Sequence, residues 1–242
     1  MVAALAIALG VAGCGTQATG GGSGDFAAAA LSQAKQQVMD ASTVRVVMRI
    51  SDGTGMGVPG EVTGEGVLDM VQLSGRLTYH YAFNGTSVEA LIRPEAVYYR
   101  LPQPQDGKTW VTVEGITGDA LFQGMDREAL SASLSGFSTM SEDKSAAGGN
   151  GERRLVQTIT LDELRDSTGV AQEGTLADKL LGAMDVTSMT AELWVTTDRK
   201  ISRMSIKYGD KMTIEMSDFG VALGDVTPPP ADQVLVKQAP KA

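Results

Sequence analysis

Residues 189–217, MTAELWVTTDRKISRMSIKYGDKMTIEMS, alternate apolar and polar side chains through three consecutive runs. A period of two is the mark of a strand with one face on a core and the other in water. MTAELWV, ISRMSIKY and KMTIEMS are therefore expected as antiparallel strands, the last two joined by a tight turn at Gly209-Asp210. Leu193, Met204, Ile206, Met212 and Ile214 fall on the apolar side of their strands.

The same period governs the chain upstream. TVRVVMRI at 43–50 puts Val44, Val46, Met48 and Ile50 on one face, with Arg45 and Arg49 on the other. After the Gly-rich loop SDGTGMGVPG come VTGEGVLDMVQL, with Leu68 and Met70 on its apolar side, and GRLTYHYAF, with Leu77, Tyr79, Tyr81 and Phe83 on one side. Asn84-Gly85 signals a two-residue turn into SVEALIR, and EAVYYRL, a PQPQDG loop, TWVTV and later RLVQTITL complete the set. Helical spacing replaces this pattern at 26–41, with Phe26, Ala30, Ala34, Val38 and Ala41 in phase and Asp25 as N-cap, again at 119–137, and in a broken stretch ending TLADKLLGAM. About ten antiparallel strands, interrupted by helices too few to form a separate core, predict a single α+β domain over 26–236, in which one long sheet curls over the helices. Residues 237–242 read as a flexible tail.

The N-terminus is of another kind. Residues 2–13, VAALAIALGVAG, form an uncharged apolar run well short of the roughly 20 residues that span a bilayer, which suits the core of a signal peptide over 1–13. Cys14, the sole cysteine, follows the small residues Ala12 and Gly13 and precedes GTQATGGGSG. VAG-C resembles the lipobox of bacterial lipoproteins, in which the thiol is acylated and the chain is cut just before it. No Lys or Arg precedes the apolar run, so the true start lies upstream of Met1 or export is inefficient. Residues 14–25 are then a lipidated tether, whose Gly/Ser-rich part of about ten residues reaches roughly 17–19 Å. With Cys14 acylated, no thiol remains for disulfide, redox or metal chemistry.

Charge sets limits on partners. A formal net charge of −9 and a pI near 4.7 argue against nucleic acid, which needs an excess of Lys and Arg. The same acidity repels anionic lipid surfaces, so attachment to a membrane falls to Cys14.

In the C-terminal third, AELWVTTDRKISRMSIKYGDKMTIEMSDFGVALGDVTPPPADQV is similar to the closing segment of actinobacterial cell-envelope lipoproteins of the LolA-like superfamily, the LppX/LprG-like family. Glu192, Leu193, Trp194, Val195, Asp198, Phe219, Gly220, Val226, Pro228 and Pro229 stand at the family's positions. The order of signal, tether, helix, meander, helices and three strands extends the resemblance over nearly the whole chain. It implies a LolA-like antiparallel half-barrel around the helices, enclosing an apolar cavity for acyl chains, on the outer side of the cell membrane.

Chemistry for catalysis is thin. His80 is the only histidine, and neither a G-x-S-x-G elbow nor an H-E-x-x-H motif accompanies it, so no enzyme and no metal site is expected. Asp218-Phe219-Gly220 spells a kinase motif without its companions and reads as a strand end, GTGMGVPG leads into strand rather than helix, and Asn84-Gly85-Thr86 is explained by its turn. Methionine stands out instead: six of the 12 (Met48, Met70, Met189, Met204, Met212 and Met216) fall in phase with the apolar residues of strands. The candidate ligand surface is Val46, Met48, Leu68, Met70, Tyr79, Tyr81, Leu193, Met204, Ile206, Met212 and Ile214. Two expectations of different class follow. One is a tethered carrier of lipid or glycolipid chains; the other is a non-enzymatic module with a closed core that docks an envelope protein. Neither requires a cofactor.

Overall fold

The computed structural model describes residues 23–51, 59–121, 126–136, 140–143, 151–160, 163 and 185–238. Cys14, the apolar run before it and the TLADKLLGAM stretch lie outside them. In chain order the elements are α1 (Ser23–Asp40), β1 (Thr43–Ile50), β2 (Val62–Asp69), β3 (Ser74–Tyr81), β4 (Thr86–Arg93), β5 (Ala96–Gln105), β6 (Lys108–Val113), α2 (Gly118–Leu121), α3 (Arg127–Gly136), β7 (Ser141–Asp143), β8 (Arg153–Thr160), β9 (Ser188–Val195), β10 (Ile201–Tyr208), β11 (Met212–Ser217) and β12 (Val234–Lys237).

All of these strands join one sheet, in the order β12-β6-β5-β4-β3-β2-β1-β11-β10-β9-β8-β7. The order corrects the expected fold. In place of a purely antiparallel, curled half-barrel of about ten strands, the chain builds an open, mixed 12-stranded sheet, in which β12 pairs parallel to β6. Among the described residues its two edges, β12 and β7, do not pair with each other, and the sheet is neither closed nor strongly curled. Those edges are also the strands that the alternation did not reveal. SED and VLVK are too short for a period to show, as edge strands often are.

Both expected turns form at their signals, but neither is a two-residue turn: residues 82–85 join β3 to β4, and residues 209–211 join β10 to β11. At Asn84-Gly85 the Asn84 Oδ1 accepts from the Thr86 N–H at 3.0 Å and from its hydroxyl at 2.7 Å, while Gly85 takes a φ of 66°. Gly209 likewise turns β10 into β11 at a φ of 55°.

α1 buries Ala27, Ala30, Leu31, Ala34 and Val38, a stripe of mostly small side chains that lets its axis approach closely. It begins at Ser23, so Asp25 stands inside its first turn and is not the expected N-cap. The helical pattern at 119–137 divides into α2 and α3. Thr117 caps α2, its Oγ1 accepting from the Ala120 N–H at 3.1 Å, and Asp126 caps α3 through the Ala129 N–H at 2.8 Å. α3 packs on α1 through the buried Leu130 and Leu134, and the Arg127 guanidinium donates to the Met39 carbonyl at 3.3 Å near the C-terminus of α1.

Candidate functional site

Cross-strand register orders the helix-facing side of the sheet into rows. The deepest row runs Ala90, Leu77, Gly66, Val46, Met216, Met204, Leu193 and Leu155 across β4 to β8, and every side chain in it is buried. This row is closed core. The next, Tyr79, Gly64, Met48, Ile214, Ile206 and Ala191, mixes buried side chains with the half-buried Tyr79, Met48 and Ile206. A third, Tyr81, Val62, Ile50, Met212 and Tyr208, leaves Tyr81 and Met212 half-buried.

The residues expected to line a ligand surface therefore divide. Val46, Leu68, Met70, Leu193, Met204 and Ile214 lie in the buried core, while Met48, Tyr79, Tyr81, Ile206 and Met212 pack at its border with part of their surface uncovered. Met70 departs from the expected strand position. It follows β2 in the turn to β3, held by Asp69 Oδ1, which accepts from the Val71 and Gln72 N–H groups at 2.8 and 2.9 Å.

Two features of this border escape a strand-by-strand reading. Gly64 leaves a bare place on β2 that neighbouring side chains fill: a Cβ there would stand 2.9 Å from the Tyr79 ring and 3.5 Å from the Met48 methyl. The G-E-G spacing, which puts Gly64 and Gly66 on one face, is the signal that could have found it. The second is Tyr99, paired with Ala90 and packed against the core beside Tyr79 and Tyr81. Burial, and then the nearness of Tyr99 and Tyr81, raises the Tyr79 phenol far above its usual range; burial, and then Tyr81, pushes Tyr99 up to about 12. Burial also raises Tyr81. All three stay protonated at neutral pH and present hydroxyl donors along an otherwise apolar border. Phe83, half-exposed, meets the Tyr81 ring edge-on at 6.2 Å.

The opposite face brings His80 between Ser87, whose Oγ lies 2.7 Å from Nδ1, and Glu65, 3.8 Å from Nε2. The residue types are those of a hydrolase triad, but all three are exposed on paired central strands, where the ladder occupies the backbone N–H groups that would have to stabilise an oxyanion. Asp218 pairs with Arg45 at 2.7 Å, and the Gly220 N–H donates to the Thr43 carbonyl at 2.8 Å, so the kinase-like tripeptide ties the end of β11 to β1. The described residues hold no cluster of three or more His, Cys, Asp or Glu able to bind a metal, and no described helix is long and apolar enough to cross a membrane. They assemble no catalytic constellation.

No family model matches the chain, and no curated protein does. Among solved structures it is similar to the Mycobacterium tuberculosis lipoprotein LppX, with 14% identity and a TM-score of 0.48 over 80% of this chain and 92% of that one. It is also similar to LprF from Mycobacterium bovis, with 14% identity and a TM-score of 0.47 over 86% of this chain and all of the other.

Proposed function

We propose that this chain is an extracytoplasmic lipoprotein, tethered to the membrane by an acyl group on Cys14, that holds lipid acyl chains against the border of its sheet. The observation that carries the reading is the half-buried set Met48, Tyr79, Tyr81, Ile206 and Met212, an apolar surface continuous with the core and incompletely covered. Each CH₂ transferred there from water contributes about 0.8 kcal/mol, so a chain of about sixteen carbons gains roughly 10 kcal/mol before ordering costs. Phenol hydroxyls at Tyr79, Tyr81 and Tyr99 supply donors for an ester or headgroup oxygen. Flexible methionines at 48 and 212 suit chains of varied length and unsaturation.

A naturally fluorescent fatty acid, cis-parinaric acid, tests the reading. Its emission is expected to rise saturably with the wild-type chain and with the surface variant Glu65→Ala, and to stay flat with Met48→Asp and Ile206→Asp, which place carboxylates on the apolar border. Absence of a rise with folded wild type, or an equal rise with both aspartate variants, would remove the support.

A further inference from the structure

The half-buried border runs out of the sheet at one end, where β3 turns into β4. Tyr79 and Tyr81 on β3 and Phe83 just beyond it share one side of the chain, leading from the border to the turn at 82–85. Phe83 is 52% exposed, and its ring meets that of Tyr81 edge-on at 6.2 Å. Among the described residues, Val71 and Val236 are the other large apolar side chains so exposed. Val71 stands in the β2–β3 turn at the opposite end of the sheet, and Val236 on the edge strand β12.

The surroundings of Phe83 extend its apolar surface. Ala82 beside it is exposed, and the Ala82 N–H donates to the Glu61 carbonyl at 3.0 Å, which brings the exposed Pro59 and Gly60 alongside. No residue from Tyr81 to Val88 carries a charge. The Gly85 N–H closes the turn on the Tyr81 carbonyl at 2.9 Å, so an ordered backbone presents the ring. An aromatic ring on an uncharged tip suits the interface of a bilayer. A chain of net charge −9 is repelled by anionic headgroups, so an apolar tip is the kind of contact open to it.

The chain leading back to Cys14 departs from the opposite end. Phe26, near the start of α1, lies with its ring centre 3.4 Å from the Arg153 guanidinium. Arg153 is in register with Val195 and Ile201, at the end of the sheet away from Tyr81, Ile50 and Met212. The eight residues of β3 span about 27 Å. The stretch from Cys14 to Ser23 reaches up to about 30 Å when extended. An acyl group on Cys14 therefore lets the far end of the sheet touch the same bilayer, and raises the effective concentration of a contact that a single ring makes only weakly. We propose that the turn at 82–85 docks on the lipid bilayer, with Phe83 entering it and Tyr81 and Tyr79 leading from it to the border. The path to the border rests on the lipid-binding reading; the docking rests on Phe83.

The chain from Cys14 onward, exported with a cleavable secretory signal, is coupled through its sole thiol to maleimide phosphatidylethanolamine in phosphatidylcholine vesicles. Brominated acyl chains quench a tryptophan that enters the bilayer. Relative to unbrominated vesicles, Phe83→Trp is expected to lose more emission than wild type. Val71→Trp, at the end from which the tether departs, should lose no more than wild type. Both positions are half-exposed and accommodate the larger ring. The loss should persist in roughly 0.5 M NaCl, which screens charge attraction. Saturable binding of cis-parinaric acid in buffer reads the lipid site separately. Folded protein that binds the acid but shows no added quenching at Phe83→Trp overturns the docking and leaves lipid binding intact; quenching without that binding sustains the docking and removes lipid carriage. Quenching of Val71→Trp equal to that of Phe83→Trp, or abolished by salt in both, also overturns the docking.

Discussion

The side-chain amide of Gln37 on α1 pairs with the backbone of Ile201 at the start of β10: its Nε2 donates to the Ile201 carbonyl at 2.9 Å, and its Oε1 accepts from the Ile201 N–H at 2.8 Å. The pairing register shifts between Ile201 and Arg203, so the amide stands where the β9–β10 ladder is irregular. One side chain thus completes a strand end and fixes the helix to the sheet.

Gln37→Leu leaves a partly buried donor and acceptor without partners. Its expected cost is about 2 kcal/mol in urea unfolding, against less than about 0.5 kcal/mol for the exposed Gln33→Leu. The domain proposed over 26–236 should unfold in one transition in both variants. Two separated transitions would argue for two units.

Acid stability should follow Glu192. Burial pushes its carboxyl up, but hydrogen bonds from Lys207 and Arg154, with their charges, outweigh burial and hold it below the ordinary carboxylate range. A group lowered in the folded state contributes stability that is complete above its unfolded value, about 4.3, and is lost as pH falls through the folded value. Glu192→Ala should cost about 3 kcal/mol near pH ~7 by leaving its cations unpaired, and should lose less than wild type on further acidification. Urea midpoints at about pH 7 and about pH 3 measure both effects. An unchanged slope with pH would show that Glu192 is not the group responsible.

Much of this was legible strand by strand. Alternation in 43–50 and 189–217 is enough to put Val46, Leu193 and Met204 on one face, because each residue's side of a strand is set by parity alone. What stands opposite is not written within a strand. That Tyr79 covers Gly64, or that Ser205 lies between Glu192 and Glu215, depends on register, which turns and bulges such as that after Ile201 determine. Curvature is less legible still: an open and a curled sheet share the same alternation. The half-barrel expectation failed there, and at the short edge strands β7 and β12.

Membrane attachment should depend on Cys14, since VAG-C is the sequence feature able to hold so acidic a chain at a lipid surface. Cys14→Ala is expected to shift the protein from the membrane pellet to the soluble fraction, or to leave it unprocessed. Equal, fully processed material in the pellet would contradict the anchor.

Native mass spectrometry of the chain from Gly15 onward, exported with a cleavable secretory signal and purified without detergent, tests lipid carriage most directly. The expected spectrum shows folded protein with an added mass that is released on denaturation and matches one or more acyl lipids. Met48→Asp should lose that mass while remaining folded, because Met48 is half-buried; Met70→Asp is unsuited to the purpose, since Met70 lies in the closed core. If folded wild type carries no lipid and takes none up from phospholipid vesicles, the sheet border is not a lipid site.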